Sequence, residues 1–425
     1  MAIKTNGSEM AAATATSRHV LMLITGGTIC MQDSPNGLIP TKDFVNNCLR
    51  PKHDFNDGTN CEPSSVIDDR ANETLVPTLQ PPRRNASMPD YRCSVLEFSE
   101  LFDSSSMDGS HWNTIIRCLD ANWTRFDAFV ILHGTDTLAY TASAMSFMLG
   151  HLDKTVVVTG SQLSMYAPHN DAHDNLLDSL TTAASFDIPE VSVVFHHHLY
   201  RATRVTKISA FSMAGFTTPN AKPLATFPKH EGQQWEAHVY SKSIRPASDE
   251  SHEVLTRITS SGLLEAHTGV DTSRVAVLKV YPGISSVLIS SIVRIPNLGG
   301  LVLETFGAGN VPLGAGSNIL EILSEAVSKG VVVVSVTQCL TGSVTSAYES
   351  AHRMERMGVV TGLDMTTEAA YTKLAYLLSL PNLSRQEMVR LMRQNLRGEL
   401  TADFREGQRQ RDSFSSDRPV IFGGN

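Results

Sequence analysis

Four short runs in the first half of the chain are apolar almost throughout: His19–Ile24, Phe126–Leu132, Thr155–Val158 and Val191–Phe195. Cys93–Phe98 also reads as a strand. Residues 110–122 and 170–184 read as helices. After Thr137, Leu138, Ala142, Met145, Met148, Leu149 and Leu152 recur with a helical period. A strand with water on one face alternates apolar and polar residues, whereas these do not. Apolar strands separated by helices require a parallel sheet covered on both faces. That pattern constrains the fold more than any other feature of the sequence.

The series recurs after a break. Val275–Val280, Gly300–Leu303 and Val331–Val336 read as strands, and residues 315–328 and 366–379 as helices. With 425 residues and roughly 100–200 per domain, two domains are expected. The predicted fold class is α/β, with a larger N-terminal parallel-sheet domain and a smaller C-terminal α/β domain. The expected boundaries are a disordered tail over 1–17, the N-terminal domain over 18–225, a linker region over 226–272, the C-terminal domain over 273–402 and a loose tail over 403–425. Residues 51–90 are rich in Pro, Asp, Asn and Ser and read as a surface insertion too polar to pack.

Charge and cysteine usage exclude several classes. The formal net charge is −8, with no basic stripe, so a nucleic-acid partner is not expected. Six scattered cysteines form no CxxC pair and read as reduced thiols. The first residues lack an apolar signal core, and no window approaches 18 apolar residues. The expectation is a cytoplasmic protein with no membrane partner.

Three strands end in related turns: Thr25-Gly-Gly-Thr28, His133-Gly-Thr135-Asp136 and Thr159-Gly-Ser161. Ligands bind beyond the carboxyl ends of parallel strands. Each turn puts hydroxyls at that rim beside glycines that admit close approach. Thr and Asp before a helix are also ordinary caps. Three such rims on one sheet shift the reading toward a site. The chemistry they suggest is nucleophilic, because a threonine hydroxyl attacks once a base takes its proton. No GxSxG elbow, phosphate loop or GxGxxG is present. Lys207 follows a later strand and could join Thr135 and Asp136 in a proton relay; a solvated surface lysine is the competing reading. His196, His197 and His198 end a strand, where only the first and third could share a face. No third ligand accompanies them, so no metal is expected.

Together these stretches resemble the L-asparaginases of the bacterial type, and most closely the cytosolic type I group with its mammalian members. The resemblance runs from about residue 18 to 402. It includes Asp103-Ser-Ser, Thr206-Lys207, Tyr281-Pro-Gly-Ile, Phe306-Gly-Ala-Gly-Asn, Thr337-Gln-Cys, Asp364-Met-Thr-Thr-Glu-Ala and Asn395-Leu-Arg-Gly-Glu-Leu. It implies hydrolysis of L-asparagine to L-aspartate and ammonia without metal or cofactor, and leaves room for a weaker glutaminase activity. Thr28 matches the nucleophile, on a mobile loop. Thr135, Asp136 and Lys207 match a second triad, with Asp136 also holding the substrate ammonium. Asp103, Ser104 and Ser105 match the loop that binds the α-amino and α-carboxylate groups. The family implies a homodimer or homotetramer.

Some positions depart from the family. Leu38 stands where many bacterial relatives carry an activating tyrosine. The mammalian-like members use a tyrosine in a Val-Thr-Ser-x-Tyr setting, here Val344-Thr-Ser-Ala-Tyr348, so Tyr348 is assigned that role; a packed or capping tyrosine is the alternative. Ala172 replaces a glycine, which would strain a left-handed backbone. Ser106 stands where relatives often have Asp. Glu304 stands where an arginine contacts an effector in bacterial type I enzymes, so that effector site is not expected as such. Leu38, Ala172 and Ser106 motivate a second reading, an asparagine-binding regulatory protein without turnover. A third, the related amidotransferase subunit, is disfavoured because the motifs begin near residue 20.

Overall fold

The structure is a computed structural model that describes residues 17–35, 37–150, 152–228, 237–240, 243–245, 269–314, 317–401 and 420–422. The expected N-terminal tail up to residue 16, most of the expected C-terminal tail and most of the expected linker lie outside the described residues. The chain divides into two compact units. The larger contains Met1–Thr218, Lys222–Asp249 and Arg418–Asn425; the smaller contains Pro219–Ala221 and Glu250–Asp417.

In the larger unit, strand β1 (Ser17–Gly26) leads to a hairpin of β2 (Met31–Ser34) and β3 (Gly37–Pro40). A second hairpin follows, β4 (Ser64–Ile67) with β5 (Glu73–Val76), then β6 (Thr78–Leu79) and β7 (Asp90–Phe102). Helix α1 (Gly109–Asn122), β8 (Ala128–Leu132), α2 (Leu138–Met148), β9 (Thr155–Thr159), α3 (Ala172–Ser185) and β10 (Val191–Phe195) alternate as the sequence requires. Then come β11 (His198–Arg201), the short pair β12 (Thr206–Lys207) and β13 (Phe216–Thr217), β14 (Ala225–Thr226) and β15 (Ala237–Val239).

The parallel centre of the sheet runs β7-β1-β8-β9-β10. Antiparallel strands extend it on both flanks: β6 beyond β7, and β11, β14, β15 and Val420–Phe422 beyond β10. The sheet is therefore mixed, not purely parallel. Only the fully buried centre shows up as continuous apolar runs. The chain after β1 turns to one side of the sheet and the chain after β8 to the other. The strand order therefore reverses between β1 and β8, and open α/β sheets bind ligands beyond the carboxyl ends at such a reversal.

Several expectations change. Residues 51–90 do pack: Phe55, Val66, Val76, Leu79 and Met88 are buried. A few apolar residues suffice because the polar ones close turns, as when Asp68 Oδ1 accepts from the backbone N–H groups of Arg70 and Asn72. Within the expected linker, Ala237–Val239 is a strand of the main sheet. Helix α2 is buried on every side, Thr141, Ser143 and Ser146 included, and only Tyr140 is not buried; it is a core helix, not an amphipathic surface one. His196 and His197 are the two central residues of the β10–β11 hairpin, with φ 46° and 61°. That two-residue turn requires positive φ at both positions, so the histidines leave the strand pattern that would have aligned them. Ala172 opens α3 and has no positive φ, so no strain arises there.

The smaller unit carries a four-stranded all-parallel sheet, β16 (Val275–Lys279), β17 (Gly300–Thr305), β18 (Val332–Thr337) and β19 (Val360–Thr361) in that order. Helices Ser286–Val293, Ile319–Ser328, Glu349–Arg356, Thr367–Ser379 and Arg385–Arg393 accompany it. Leu301, Leu303, Val333, Leu323 and Met354 form its core. At its end Lys373 and Glu399 are a fully buried ion pair at 2.5 Å. Burial works to raise the Glu399 pKa, but the Lys373 ammonium and the backbone N–H groups of Leu396 and Arg397 hold it below the usual range.

Candidate active site

The rim between β1 and β8 is built by glycines. Gly27 has φ 93°, and a Cβ there would lie 2.5 Å from the Gly134 backbone. A Cβ on Gly134 would lie 2.4 Å from Ser104 Oγ, and one on Gly160 2.2 Å from the His133 carbonyl oxygen. Gly27 and Gly160 face backbone, and Gly134 faces the Ser104 side chain, at distances that leave no room for a Cβ. The consequence is proximity: the turns carrying Thr28, Ser104 and Thr135 touch one another although their strands are far apart in sequence.

The rim hydroxyls then divide into two groups. Thr25 Oγ1 donates to the Leu132 carbonyl at 2.8 Å and Thr159 Oγ1 to the Val194 carbonyl at 2.8 Å. Both are spent stitching neighbouring strands. Ser161 Oγ donates to the Leu163 carbonyl at 2.5 Å. Thr28 starts a single 3-10 turn, Thr28–Cys30, and is partly buried. Thr135 is buried, and its hydroxyl receives the Lys207 ammonium.

Lys207 reaches that position from β12, which is held by pairing with β13. Its Nζ donates to Thr135 Oγ1 at 2.8 Å and to Asp136 Oδ1 at 2.7 Å. An ammonium that donates to Thr135 leaves the hydroxyl proton free for another acceptor. Thr135 Oγ1 donates it to Gln162 Oε1 at 3.5 Å. Gln162 follows the third rim turn, Thr159-Gly-Ser161, and nothing in the sequence pattern marks it. Its Nε2 donates to the carbonyls of Ser209 and Ser212, each at 3.1 Å, which fixes the amide with its oxygen toward Thr135. Asp171 holds the loop from behind by accepting the backbone N–H groups of Gln162 and Leu163. No spacing rule links these segments.

Asp103, Ser104 and Ser105 form the turn after β7. Asp103 accepts from the Ser105 backbone N–H at 3.0 Å and from Ser105 Oγ at 2.9 Å. Ser104 is buried, and its carbonyl accepts from Thr137 Oγ1 at 2.7 Å, tying this turn to the start of α2. Asp103 and Asp136 both remain exposed, with carboxylates open to a ligand. Tyr348 belongs to the smaller unit, where it precedes the helix Glu349–Arg356. Its side chain makes no cap hydrogen bond and is exposed. It is neither packed nor capping. Leu38, on β3, is exposed as well. Among the described residues no cluster of three His, Cys, Asp or Glu side chains could hold a metal, and no helix is long and apolar enough to cross a membrane.

Residues 19–241 match the family profile described as "Asparaginase, N-terminal", and residues 274–392 match "Glutaminase/Asparaginase C-terminal domain". The chain belongs to the asparaginase family of amidohydrolases. It is 35% identical over 387 residues to "L-asparaginase 1" of Escherichia coli (strain K12), covering 91% of this chain and 99% of that protein. It is 37% identical over 394 residues to the "60 kDa lysophospholipase" of Mus musculus, covering 92% of this chain but only 64% of the mouse protein. The chain thus spans under two thirds of that mammalian relative. Among solved structures, L-asparaginase I from Vibrio cholerae superposes with a TM-score of 0.71 at 33% identity, covering 90% of this chain and 99% of that one.

Proposed function

We propose that this chain hydrolyses L-asparagine to L-aspartate and ammonia, with Thr28 as nucleophile. One observation carries the reading: Lys207 Nζ sits between Thr135 Oγ1 and Asp136 Oδ1, at 2.8 and 2.7 Å. A charged donor held on a buried hydroxyl supports a proton relay, beyond the exposed ion pair it makes with Asp136.

In this reading Thr28 Oγ1 attacks the side-chain amide carbon, and its proton passes to the leaving nitrogen. The C–N bond breaks, ammonia departs, and an ester to Thr28 remains. Water polarised by Thr135 and Lys207 then attacks the ester and restores the threonine. Asp136 and Asp103 receive the substrate ammonium, and Ser104 and Ser105 its α-carboxylate. The proton-accepting role of Tyr348 rests on the motif Val344-Thr-Ser-Ala-Tyr348 alone, and Tyr348→Phe tests it. No metal or cofactor takes part. The name of the E. coli relative supports the substrate. A weaker glutaminase activity is part of the proposal, since one methylene changes discrimination by only about 1–3 kcal/mol.

The decisive experiment measures ammonia release from asparagine and glutamine by the purified protein, by Thr28→Ala and by Thr135→Ala. Turnover by the wild type and its loss in both variants, with unfolding unchanged, is expected. Wild-type turnover in either variant refutes the assignment. Asparagine binding by calorimetry without ammonia release would favour the regulatory reading. We further propose a cytoplasmic homodimer or homotetramer. Helix Ser286–Val293 supports an oligomer, because it buries only Ile289 and leaves Val287 and Leu288 exposed; light scattering measures the mass.

A further inference from the structure

His133 ends the run of β8 and is completely buried. Its backbone N–H donates to the Thr159 carbonyl at 2.8 Å. Its Nδ1 lies 2.7 Å from the carbonyl oxygen of Gly134, the next residue. A carbonyl only accepts, so Nδ1 carries the hydrogen. In the neutral ring Nε2 is then an acceptor, and this buried atom has no partner among the described residues. A phenylalanine would fill the same space without an unsatisfied nitrogen. The bond to Gly134 is what an imidazole supplies and a hydrocarbon ring cannot.

That bond has a geometric consequence. The Gly134–Thr135 peptide is planar and trans, so the Thr135 N–H points opposite to the Gly134 carbonyl. With the carbonyl held on the buried imidazole, the Thr135 N–H points away from that ring. It has no acceptor among the described residues, and it belongs to the residue whose hydroxyl meets Lys207. Glycine tolerates a wide range of ψ, so the peptide after Gly134 could turn over if nothing held it.

We propose that His133 is a positioning residue that locks the Gly134–Thr135 peptide, so that the Thr135 N–H donates to the substrate carbonyl oxygen as it gains negative charge. The inference rests on the hydrolytic reading above. The imidazole transfers no proton; it sets the direction of a backbone donor.

Three variants test it. His133→Phe keeps a ring and removes the donor. His133→Asn retains an N–H close to the Nδ1 position, and His133→Gln carries its N–H too far out to reach Gly134. The expected result is a kcat reduced about 10²–10³-fold in H133F and H133Q, as for loss of one oxyanion donor, with KM within threefold. H133N should regain at least tenfold of that loss. Wild-type kcat in H133F, or equal kcat in H133N and H133Q, overturns the proposal. If H133F fails to fold, the H133N/H133Q contrast decides. If the wild type releases no ammonia, the hydrolytic reading fails separately. The Thr135 amide signal in a 15N–1H spectrum with added L-aspartate then tests His133 alone. A shift in wild type that is absent in H133Q supports the lock; no wild-type shift, or equal shifts, refutes it.

Discussion

Replacing Lys207 with methionine separates chemistry from stability. The change keeps the length of the side chain and removes its charge. Its partner Asp136 is 64% exposed, so the lost ion pair costs about 0–1 kcal/mol of folding free energy. Thr135 Oγ1, by contrast, loses the ammonium held at 2.8 Å. Positioned proton transfer contributes about 10²–10⁴-fold, which corresponds to about 3–5 kcal/mol of barrier. Lys207→Met should therefore unfold within about 4 °C of the wild type, on the conversion of roughly 2–4 °C per kcal/mol, while kcat for ammonia release falls at least a hundredfold. Steady-state kinetics beside a thermal melt of the same preparation makes the comparison. A kcat within threefold of the wild type, in a folded variant, would refute the relay and return Lys207 to the role of a surface lysine.

Gly27→Ala should lower both Tm and kcat, at a cost of about 1–3 kcal/mol, because its Cβ would meet the Gly134 backbone at 2.5 Å under a φ of 93°. A crystal structure or melt showing no change would mean that the two turns can separate. Lys373→Met should destabilise by about 3–5 kcal/mol, since it leaves the Glu399 carboxylate buried and unpaired. The double change Lys373→Met with Glu399→Gln should restore most of that in a denaturant titration, because glutamine still accepts from the Leu396 and Arg397 N–H groups. Burial lowers the His133 pKa from 6.5 to about 4. The unfolded chain therefore takes up a proton between those values and the folded one does not. Stability falls as pH drops from 6.5, by an amount that reaches about 3 kcal/mol near pH 4. His133→Asn has no such titration, so its stability relative to wild type should rise through that window. A difference independent of pH would contradict the buried neutral ring.

The sequence alone determined the repeating α/β pattern and the residues at the strand ends. Both are local properties. A strand buried on two faces must be apolar throughout, and a turn at its end must use glycine and short hydroxyl side chains. The motifs named Thr28, Thr135, Asp136 and Lys207 together, and three of these four meet at hydrogen-bond distance. Composition misjudged residues 51–90, because low hydropathy does not count the few apolar side chains that register into a shared core. It also gave no sign of the antiparallel flanks, whose strands are too short to carry a pattern. Only the tertiary structure separated the hydroxyls spent on neighbouring carbonyls, Thr25 and Thr159, from Thr135, which meets Lys207. Only it brought Gln162 to Thr135 and turned the His133 ring onto Gly134. The Gln162 contact joins turns that follow different strands, and the His133 ring finds its carbonyl within its own turn. The distances between turns are set by sheet order and by the close approach of Gly27 to Gly134, and neither is encoded in the spacing along the chain.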